Sequence, residues 1–356
     1  MADIVILGAG VMGSAMSLPA SHGGNAIGLV GTHLDDEIIR SVGGNGLHPR
    51  LGVTLPARVK AHFSSGFADA MAVDPALLIL GVSSAGVNWA IDRIVETLKH
   101  PVPILMITKG LVPKDGSIEV LPHRVAREIE ARTGMKMPVM AVGGPCIAGE
   151  LAALRDTSVV VTGTDPALVA QTLGLLQAPF YHARASSDVI GVEICAAFKN
   201  FYALAVGAAA GKLESEGKAT NGALMFNLSS SVFTQSLEEM TILVESLGGK
   251  AETVRGLPGS GDLYVTCQAG RNSRMGRLLG LGMRYSAAKA EHMAKDTVEG
   301  AQLALDLGPT LDHMLGSGAL PADRMPLTAA VVATICRDAP LDLAFARFHG
   351  AAQAGS

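Results

Sequence analysis

The first thirty residues contain the feature that most constrains the fold. A short apolar run, Ile4 to Leu7, leads into Gly8-Ala9-Gly10-Val11-Met12-Gly13, and a helix-like segment and a second strand-like run from Ala26 to Val30 follow. Strand, glycine turn, helix and strand in this order form the opening βαβ unit of a doubly wound sheet. The first glycine permits a tight turn, the second lets the backbone approach a pyrophosphate, and the third allows the helix to pack on the strand. The segment therefore predicts a dinucleotide site held by Gly8, Gly10 and Gly13.

The end of the second strand-like run leaves the choice between NAD and NADP open. An acid about 20 residues after the glycines would hold the ribose 2′-hydroxyl of NAD. Gly31, Thr32 and His33 stand at this place, and Asp35 and Asp36 come slightly later. No arginine stands at the end of this run to hold a 2′-phosphate, although Thr32 and His33 could donate hydrogen bonds to one. We therefore expect NAD or NADP as the cofactor, with Thr32 among its contacts.

Further strand-like runs predict a mainly parallel sheet. Each is bounded by Gly, Pro or polar residues, and they are Ala76–Val82, Val102–Thr108, Val139–Val142 and Thr157–Val161. Predicted helices, such as Gly86–Lys99 and Pro122–Thr133, lie between them. This alternation is typical of a doubly wound sheet covered by helices on both faces, the Rossmann type of α/β fold.

After about Asp188 the strand-like runs stop and long Ala-, Gly-, Leu- and Met-rich segments begin. These segments predict helices at Val189–Gly211, Leu224–Leu247, Arg274–Leu281, Ser286–Lys295, Gly300–Leu307 and Ala329–Arg337. We therefore expect two domains, which a chain of 356 residues favours. Residues 1–188 would bind the dinucleotide, and residues 189–350 would form an all-α substrate and catalytic domain.

Composition excludes several classes of protein. With 49% hydrophobic residues, the chain has ample material for a core and is not disordered as a whole. A net charge of −4 without a basic run argues against nucleic acid. The four dispersed cysteines suggest neither a zinc site nor disulfides. The apolar stretch from Gly191 to Lys212 carries Glu193, Lys199 and Asn200, which predicts a buried helix without membrane insertion. We expect a soluble, cytoplasmic protein, and by base rate a homodimer.

Lys109 is the first candidate for chemistry. In an open α/β sheet, ligands gather outside the carboxyl ends of the strands. Lys109 follows the apolar run Pro103 to Thr108, and Gly143-Gly144-Pro145-Cys146 follows another such run. A surface lysine at a strand exit is the ordinary alternative for Lys109.

Lys199 is the sharper candidate, because nearly all its neighbours in the run Ile194 to Val206 are apolar. Burying an unpaired amine costs several kcal/mol, so a lysine in such a helix usually has a partner or a task. Burial and a nearby cation both lower the pKa of a lysine, which suits it to proton transfer. The alternative is a side chain that extends to the surface.

A third cluster begins with Gly256-Leu257-Pro258-Gly259-Ser260-Gly261-Asp262-Leu263 and continues with Thr266, Arg271 and Asn272. The glycine-dense part is also typical of a flexible surface loop. Arg271 and Asn272 precede the predicted helix Arg274–Leu281, and an arginine at a helix N-terminus is a favourable anion site. The cluster therefore predicts a site for a substrate phosphate.

Eight short motifs in a fixed order resemble the NAD(P)-dependent glycerol-3-phosphate dehydrogenase family. The resemblance covers residues 4 to 302. The motifs are the glycine turn at 8–13, His48-Pro49-Arg50, Lys109-Gly110-Leu111, Gly144-Pro145, Gly191-Val192-Glu193 with Lys199-Asn200, Gly261-Asp262-Leu263, Arg271-Asn272 and Val298-Glu299-Gly300. The resemblance implies a hydride transfer with NAD(P) that interconverts dihydroxyacetone phosphate and glycerol 3-phosphate and feeds glycerophospholipid synthesis.

The resemblance also implies a role for individual residues. Lys199 would transfer the proton, with Lys109 and Asp262 as the other catalytic residues. Gly144, Cys146, Asn200 and Thr266 would contact the substrate together with Lys109, Asp262, Arg271 and Asn272, the last two at its phosphate. Val11, Met12, Ala148 and Glu299 would lie near the cofactor, as would Lys109 and Arg271. No metal is needed, because ammonium groups can polarise the carbonyl.

Some departures from the family pattern leave alternatives open. Cys146 stands where the family usually carries Ser or Thr, and the segment Phe233 to Met240 lacks an expected arginine. A relative acting on another polyol phosphate, such as a four-carbon one, is one alternative. A non-catalytic dinucleotide-binding sensor is another, although the presence of Lys109, Lys199 and Asp262 argues against it.

Overall fold

The computed structural model describes residues 2–217, 221–268, 270–343 and 345–348. The strands β1 to β12 are, in chain order, Asp3–Leu7, Ala26–Val30, Leu47–His48, Val53–Thr54, Val59–His62, Leu77–Leu80, Ile104–Met106, Leu111–Lys114, Ser117–Val120, Val139–Gly143, Thr157–Thr162 and Tyr181–Ser186. The helices α1 to α15 are Val11–His22, Asp36–Asn45, Phe67–Met71, Val87–Thr97, Leu121–Thr133, Ala148–Ala152, Pro166–Leu175, Val189–Glu216, Phe226–Ser246, Ala251–Arg255, Asp262–Gln268, Arg271–Gly280, Tyr285–His292, Glu299–Gly316 and Pro326–Cys336.

The chain divides into two compact units. The first takes its residues from Met1–Lys109 and Leu121–Val192, and the second takes its residues from Gly110–Val120 and Glu193–Ser356. The predicted boundary after residue 188, and the task assigned to each domain, stay predictions. The last two residues of the predicted second domain, 349 and 350, lie outside the described residues.

The first unit is built on an eight-stranded sheet with the order β12-β11-β10-β7-β6-β1-β2-β5. Its neighbouring strands are parallel, apart from the antiparallel pair of β10 and β11. Read from β5, the first six strands follow the chain in the order 3-2-1-4-5-6 of a dinucleotide-binding doubly wound sheet. The predicted mainly parallel Rossmann sheet is therefore confirmed.

Burial explains why the central strands were recognisable in the sequence. All four residues of β6 and all three of β7 are buried, as are Ile4 to Leu7 of β1. Because successive side chains of a strand point to opposite faces, these strands are covered on both faces. A strand buried in this way must be a continuous apolar run.

The two outermost strands were not predicted, because they lack such a run. Within β12 only Tyr181 is buried, and Val59–His62 of β5 contains no buried residue. Edge strands face solvent along one side and tolerate polar residues. The sequence pattern used for the central strands therefore could not find them.

The second unit is helical except for one hairpin. The six helices predicted after Asp188 are all present, and the predicted Arg274–Leu281 begins three residues earlier as α12 at Arg271. The hairpin of β8 and β9 was not predicted, and it packs against α14. Elsewhere among the described residues of this unit there is no strand.

Helix α8 is the core of the second unit. It is long and apolar enough to cross a membrane by length and composition, but 83% of its apolar window is buried inside the protein. Core helices of globular proteins pass the same test, and the prediction of a buried helix is confirmed.

Glycines let α12 lie unusually close to α8. A Cβ at Gly207 would come within 2.5 Å of the Ser273 carbonyl oxygen, and one at Gly276 would come within 2.1 Å of the Leu204 oxygen. Gly211 and Gly280, one turn further along each helix, are equally confined. The contact fixes the N-terminus of α12 against the middle of α8, where Lys199 and Asn200 lie.

A buried carboxylate joins α9 to the start of α15. Glu239 accepts hydrogen bonds from the backbone nitrogens of Leu327 and Thr328, at 2.7 Å each, and from the Thr328 hydroxyl at 2.7 Å. Gln235 also donates to it, at 3.0 Å. Burial raises the pKa of Glu239 above its usual value, and these hydrogen bonds oppose the rise. This residue lies in the segment without the expected arginine, and these four hydrogen-bond donors are neutral groups.

Candidate active site

Two glycines of the predicted dinucleotide turn are required by the fold itself. Gly8 has φ +114°, and a Cβ there would lie 2.6 Å from the carbonyl carbon of Gly81. A Cβ at Gly13 would lie 2.1 Å from the carbonyl oxygen of Gly8. Both contacts are with backbone, which cannot rotate away. Gly8 and Gly13 therefore allow β1, α1 and the residues after β6 to meet.

Gly10 differs from both neighbouring glycines, because a Cβ there would meet no atom within 4 Å. It caps the N-terminus of α1 with extended backbone, φ −63° and ψ 172°. The first backbone N–H groups of a helix have no partner inside the helix and attract anions. Open space in front of a helix N-terminus fits a pyrophosphate, which a side chain at residue 10 would obstruct.

The acid near the end of β2 is directed inward. Asp35 accepts hydrogen bonds from the backbone nitrogen of Ala9 at 3.3 Å, and from the nitrogen and hydroxyl of Thr32 at 2.8 Å each. Only 7% of Asp35 is exposed. Its carboxylate therefore ties the end of β2 to the glycine turn. The predicted contact Thr32 lies at the end of β2, and its hydroxyl is already bonded to Asp35.

His48 supports the same turn from the β3–β4 hairpin. Its Nδ1 accepts a hydrogen bond from the Leu51 nitrogen at 3.1 Å, so its Nε2 carries the hydrogen and donates to the Ala9 oxygen at 3.2 Å. Burial lowers the pKa of His48, which keeps the ring neutral. The histidine of the His48-Pro49-Arg50 motif thus has a structural task here.

Four predicted residues of the first unit line one narrow cleft at the carboxyl ends of β7 and β10. They are Met12, Lys109, Gly144 and Cys146. Ala148 begins α6 just beyond it. The residues predicted from the strand ends therefore converge in the first unit.

In the second unit, Lys199 and Asp262 form a buried ion pair. The Lys199 ammonium donates to Oδ1 of Asp262, and their side chains are only 13% and 1% exposed. The alternative of a lysine extending to the surface is wrong. A charge pair removed from water this completely is costly to build, and loss of either partner strands the other. Such pairs are common at functional sites.

The glycine-dense segment before Asp262 is helical, so the alternative of a flexible surface loop is wrong. Residues Leu257–Gly261 form a π-helical turn that continues directly into α11. A Cβ at Gly259 would lie 2.1 Å from the carbonyl oxygen of Val254. The compact turn places Asp262 at the first position of α11, where Thr266 donates its hydroxyl to the Asp262 carbonyl at 2.7 Å. π-turns of this kind are frequent at functional sites.

An amide network links the starts of α12 and α14 to α8. Asn272 donates to Oδ1 of Asn200 at 2.9 Å and accepts a hydrogen bond from the Gly300 nitrogen at 2.8 Å. Arg271 pairs with Glu299 on the surface. Every site residue predicted in this unit thus lies in one cluster: Lys199, Asn200, Asp262, Thr266, Arg271, Asn272 and Glu299.

With this geometry established, known proteins identify the family. Residues 3–169 match the family model for the N-terminus of NAD-dependent glycerol-3-phosphate dehydrogenase, and residues 188–346 match the model for its C-terminus. The chain belongs to the NAD-dependent glycerol-3-phosphate dehydrogenase family. The resemblance inferred from eight motifs is confirmed.

Individual relatives cover nearly the whole chain. An NADP(+)-dependent glycerol-3-phosphate dehydrogenase from Archaeoglobus fulgidus is 33% identical over 85% of this chain and 87% of its own length. A glycerol-3-phosphate dehydrogenase [NAD(P)+] from Polynucleobacter asymbioticus is 30% identical over 90% and 92%. The crystal structure of glycerol-3-phosphate dehydrogenase from Coxiella burnetii superposes with a TM-score of 0.78 at 26% identity, covering 98% of both chains.

Two features near this family's motifs were not predicted from the sequence. Asp35 appeared only as an acid that comes slightly late for a ribose, although it holds the glycine turn. Tyr181 lines the same cleft as Lys109 and Cys146, but it begins the unpredicted strand β12. A polar edge strand gives no signal by which Tyr181 could have been found.

Proposed function

We propose that this chain is an NAD(P)-dependent glycerol-3-phosphate dehydrogenase, which interconverts glycerol 3-phosphate and dihydroxyacetone phosphate. The observation that carries the proposal is the buried Lys199–Asp262 pair, which lies in the second unit together with Asn200, Thr266 and Asn272. The names of the relatives support the same reaction.

Lys199 is proposed as the general acid and base. During oxidation its neutral amine would accept the proton of the substrate 2-hydroxyl, and the hydride of carbon 2 would pass to bound NAD(P). During reduction the ammonium returns that proton to the carbonyl oxygen. Asp262 is within hydrogen-bond reach of the same nitrogen, so it orients the amine and stabilises its charged form. Lys109 is proposed to contact both cofactor and substrate.

The start of α12 is proposed to hold the substrate phosphate. Arg271 occupies the first position of a ten-residue helix, with Asn272 next to it. The positive end of the helix dipole and a guanidinium are complementary to a phosphate dianion. The Arg271–Glu299 ion pair is exposed, so its rearrangement on ligand binding costs little.

The residues of the glycine turn fit a dinucleotide. Bound NAD(P) supplies the hydride acceptor and, when reduced, the donor. Gly10 leaves the helix N-terminus open for the pyrophosphate, while Asp35 and His48 hold the turn in place. Either NAD or NADP is the cofactor.

The test is an absorbance assay of reduced nicotinamide with purified protein, dihydroxyacetone phosphate and either NADH or NADPH. Oxidation of one or both would support the reaction and give the cofactor preference. A panel of ketose and aldose phosphates in the same assay tests the four-carbon alternative that Cys146 raises. Nucleotide binding without turnover of any of them would refute the proposal and favour the sensor. A cytoplasmic location, supply of glycerophospholipid synthesis and a homodimer stay predictions.

A further inference from the structure

The antiparallel pairing of β10 and β11 brings an unexpected residue to the ligand edge of the sheet. Because β11 runs opposite to β10, its amino end lies beside the carboxyl end of β10. Strand β12 is parallel to β11, with Tyr181 opposite Thr157. The first residue of β12 therefore lies at the edge where β1, β6 and β7 end and where ligands of such sheets bind.

Tyr181 carries a buried hydroxyl without a partner. The residue is 2% exposed, and no hydrogen-bonding group among the described residues meets its phenol oxygen. Buried tyrosine hydroxyls are normally paired, since leaving one unpaired costs about 1–3 kcal/mol. In this unit the phenol lies near the Cys146 thiol, and both residues line the narrow cleft that also contains Lys109.

The cleft lies on the nicotinamide side of the sheet. In such sheets the adenosine ribose of a dinucleotide lies at the end of β2. The pyrophosphate lies at the start of α1. The cleft is on the other side of β1, between Met12 and Met16 of α1 and the residues that follow β7 and β10. Apart from Lys109, Cys146 and Tyr181, its lining is glycine and apolar side chains, which suits the faces of a flat ring.

We propose that Tyr181 positions the nicotinamide by a hydrogen bond between its hydroxyl and the carboxamide group, with Cys146 beside it. A carboxamide has only a few atoms and needs a donor for its oxygen and an acceptor for its nitrogen. A tyrosine hydroxyl can serve either atom. The proposal deepens the proposed function and depends only on its dinucleotide part. Tyr181 acts here as a positioning residue.

Tyr181→Phe is the test, because it removes one oxygen and keeps the ring. We expect the Kd of the preferred reduced cofactor to rise about 3- to 10-fold, the loss typical of one neutral hydrogen bond. The Kd of ADP-ribose, which lacks nicotinamide, should not change. If the preferred cofactor is NADPH, 2′-phospho-ADP-ribose is used in place of ADP-ribose. Tyr202→Phe is the matched control. Tyr202 is fully buried in the second unit, and its hydroxyl lies 2.9 Å from Thr328 Oγ1. Its replacement should change neither the Kd of the reduced cofactor nor that of ADP-ribose.

Thermal unfolding without ligand separates positioning from a role in the fold. The Tm of Y181F should equal or exceed that of the wild type, because an unpaired buried hydroxyl has been removed. A lower Tm, or equal weakening of both ligands, would overturn the proposal in favour of a structural role. An unchanged cofactor Kd, or a change confined to the KM of dihydroxyacetone phosphate, would overturn it as well. If the wild type binds cofactor but turns over no substrate, the proposed reaction fails while this test still decides the role of Tyr181.

Discussion

Gly10 and Gly13 belong to the same motif but are glycine for different reasons, and an alanine substitution at each position tests the difference. Gly10 has backbone angles that any residue adopts, and a Cβ there meets nothing within 4 Å. Alanine is a poorer N-cap than glycine by a few tenths to about 1 kcal/mol. It also lowers the entropy of the unfolded chain, which stabilises by about 0.4–1 kcal/mol. The two effects nearly cancel, so Gly10→Ala should leave the free energy of unfolding unchanged within about 1 kcal/mol.

Gly13→Ala should instead damage the fold. Its Cβ would lie 2.1 Å from the Gly8 carbonyl oxygen, whereas carbon–oxygen contacts normally begin at about 3.3 Å. An overlap above 1 Å with backbone exceeds ordinary overpacking, so we expect a loss of roughly 3 kcal/mol or more. At about 2–4 °C for each kcal/mol in a domain of this size, the Tm should fall by roughly 6–12 °C.

Cofactor titration and thermal unfolding on the same samples test the reasoning. Gly10→Ala should raise the Kd of NAD(P)H by at least about tenfold, since its methyl group occupies the space in front of the α1 N-terminus. Saturating cofactor should stabilise the wild type by about 2.7 kcal/mol at 100 times its Kd, and Gly10→Ala should lose much of this gain. If Gly10→Ala bound cofactor normally, or unfolded as early as Gly13→Ala, the assignment of Gly10 to the pyrophosphate would be refuted.

The remaining predictions concern the second unit. Lys199→Ala should lower kcat at least about 100-fold with little change in cofactor Kd. Lys212→Ala is the control on the same helix and should leave kcat unchanged, because the Lys212 side chain is exposed and pairs with Glu216. Equal kcat values in both variants would exclude Lys199 as the general acid and base. Arg271→Ala should raise the KM of glycerol 3-phosphate about tenfold or more and change the Tm little, because its ion pair is exposed; an unchanged KM would contradict the phosphate assignment. Glu239→Gln should lower the free energy of unfolding by about 3 kcal/mol, since an amide cannot accept all the hydrogen bonds that both carboxylate oxygens receive. Denaturant unfolding would measure this loss, and a loss below about 1 kcal/mol would argue against a stabilising role of Glu239 at the start of α15. Burial raises the pKa of Glu239 in the folded state above its value in the unfolded state. The contribution of this raised pKa to the free energy of unfolding should therefore be complete below the unfolded pKa and decline as pH rises through the folded pKa. Glu239→Gln should remove this part of the pH dependence.

The sequence predicted those parts of the molecule in which a residue type is forced by its immediate neighbours. Gly8 and Gly13 were recognisable because a turn between a buried strand and a helix leaves no space for a Cβ. The central strands were recognisable because burial on both faces requires an unbroken apolar run. Lys199 was recognisable because an amine inside an apolar helix is costly unless it has a partner.

Other parts depend on contacts between residues far apart in the chain. The carboxylate of Asp35 is directed toward Ala9, 26 residues earlier, by the way β2 returns beside β1. Tyr181 reaches the ligand edge only because β11 reverses the direction of the sheet. No local pattern in the polar strand β12 records that reversal.

Asp262 depends both on its immediate neighbours in the sequence and on a contact with a distant part of the chain. Glycine-dense sequence around it favours a loop by local propensity, since glycine is a poor helix former. The segment is nevertheless helical, because a glycine at position 259 lets the π-turn pack against Val254. The turn brings the carboxylate to an amine 63 residues away in sequence. The attraction between the two charges offsets part of the desolvation cost that each would carry alone. Neither charge is stable in its place without the other. The apolar setting of Lys199 therefore indicates that a partner exists. The local sequence does not identify that partner, whereas the family resemblance points to Asp262 and the fold places it beside the amine.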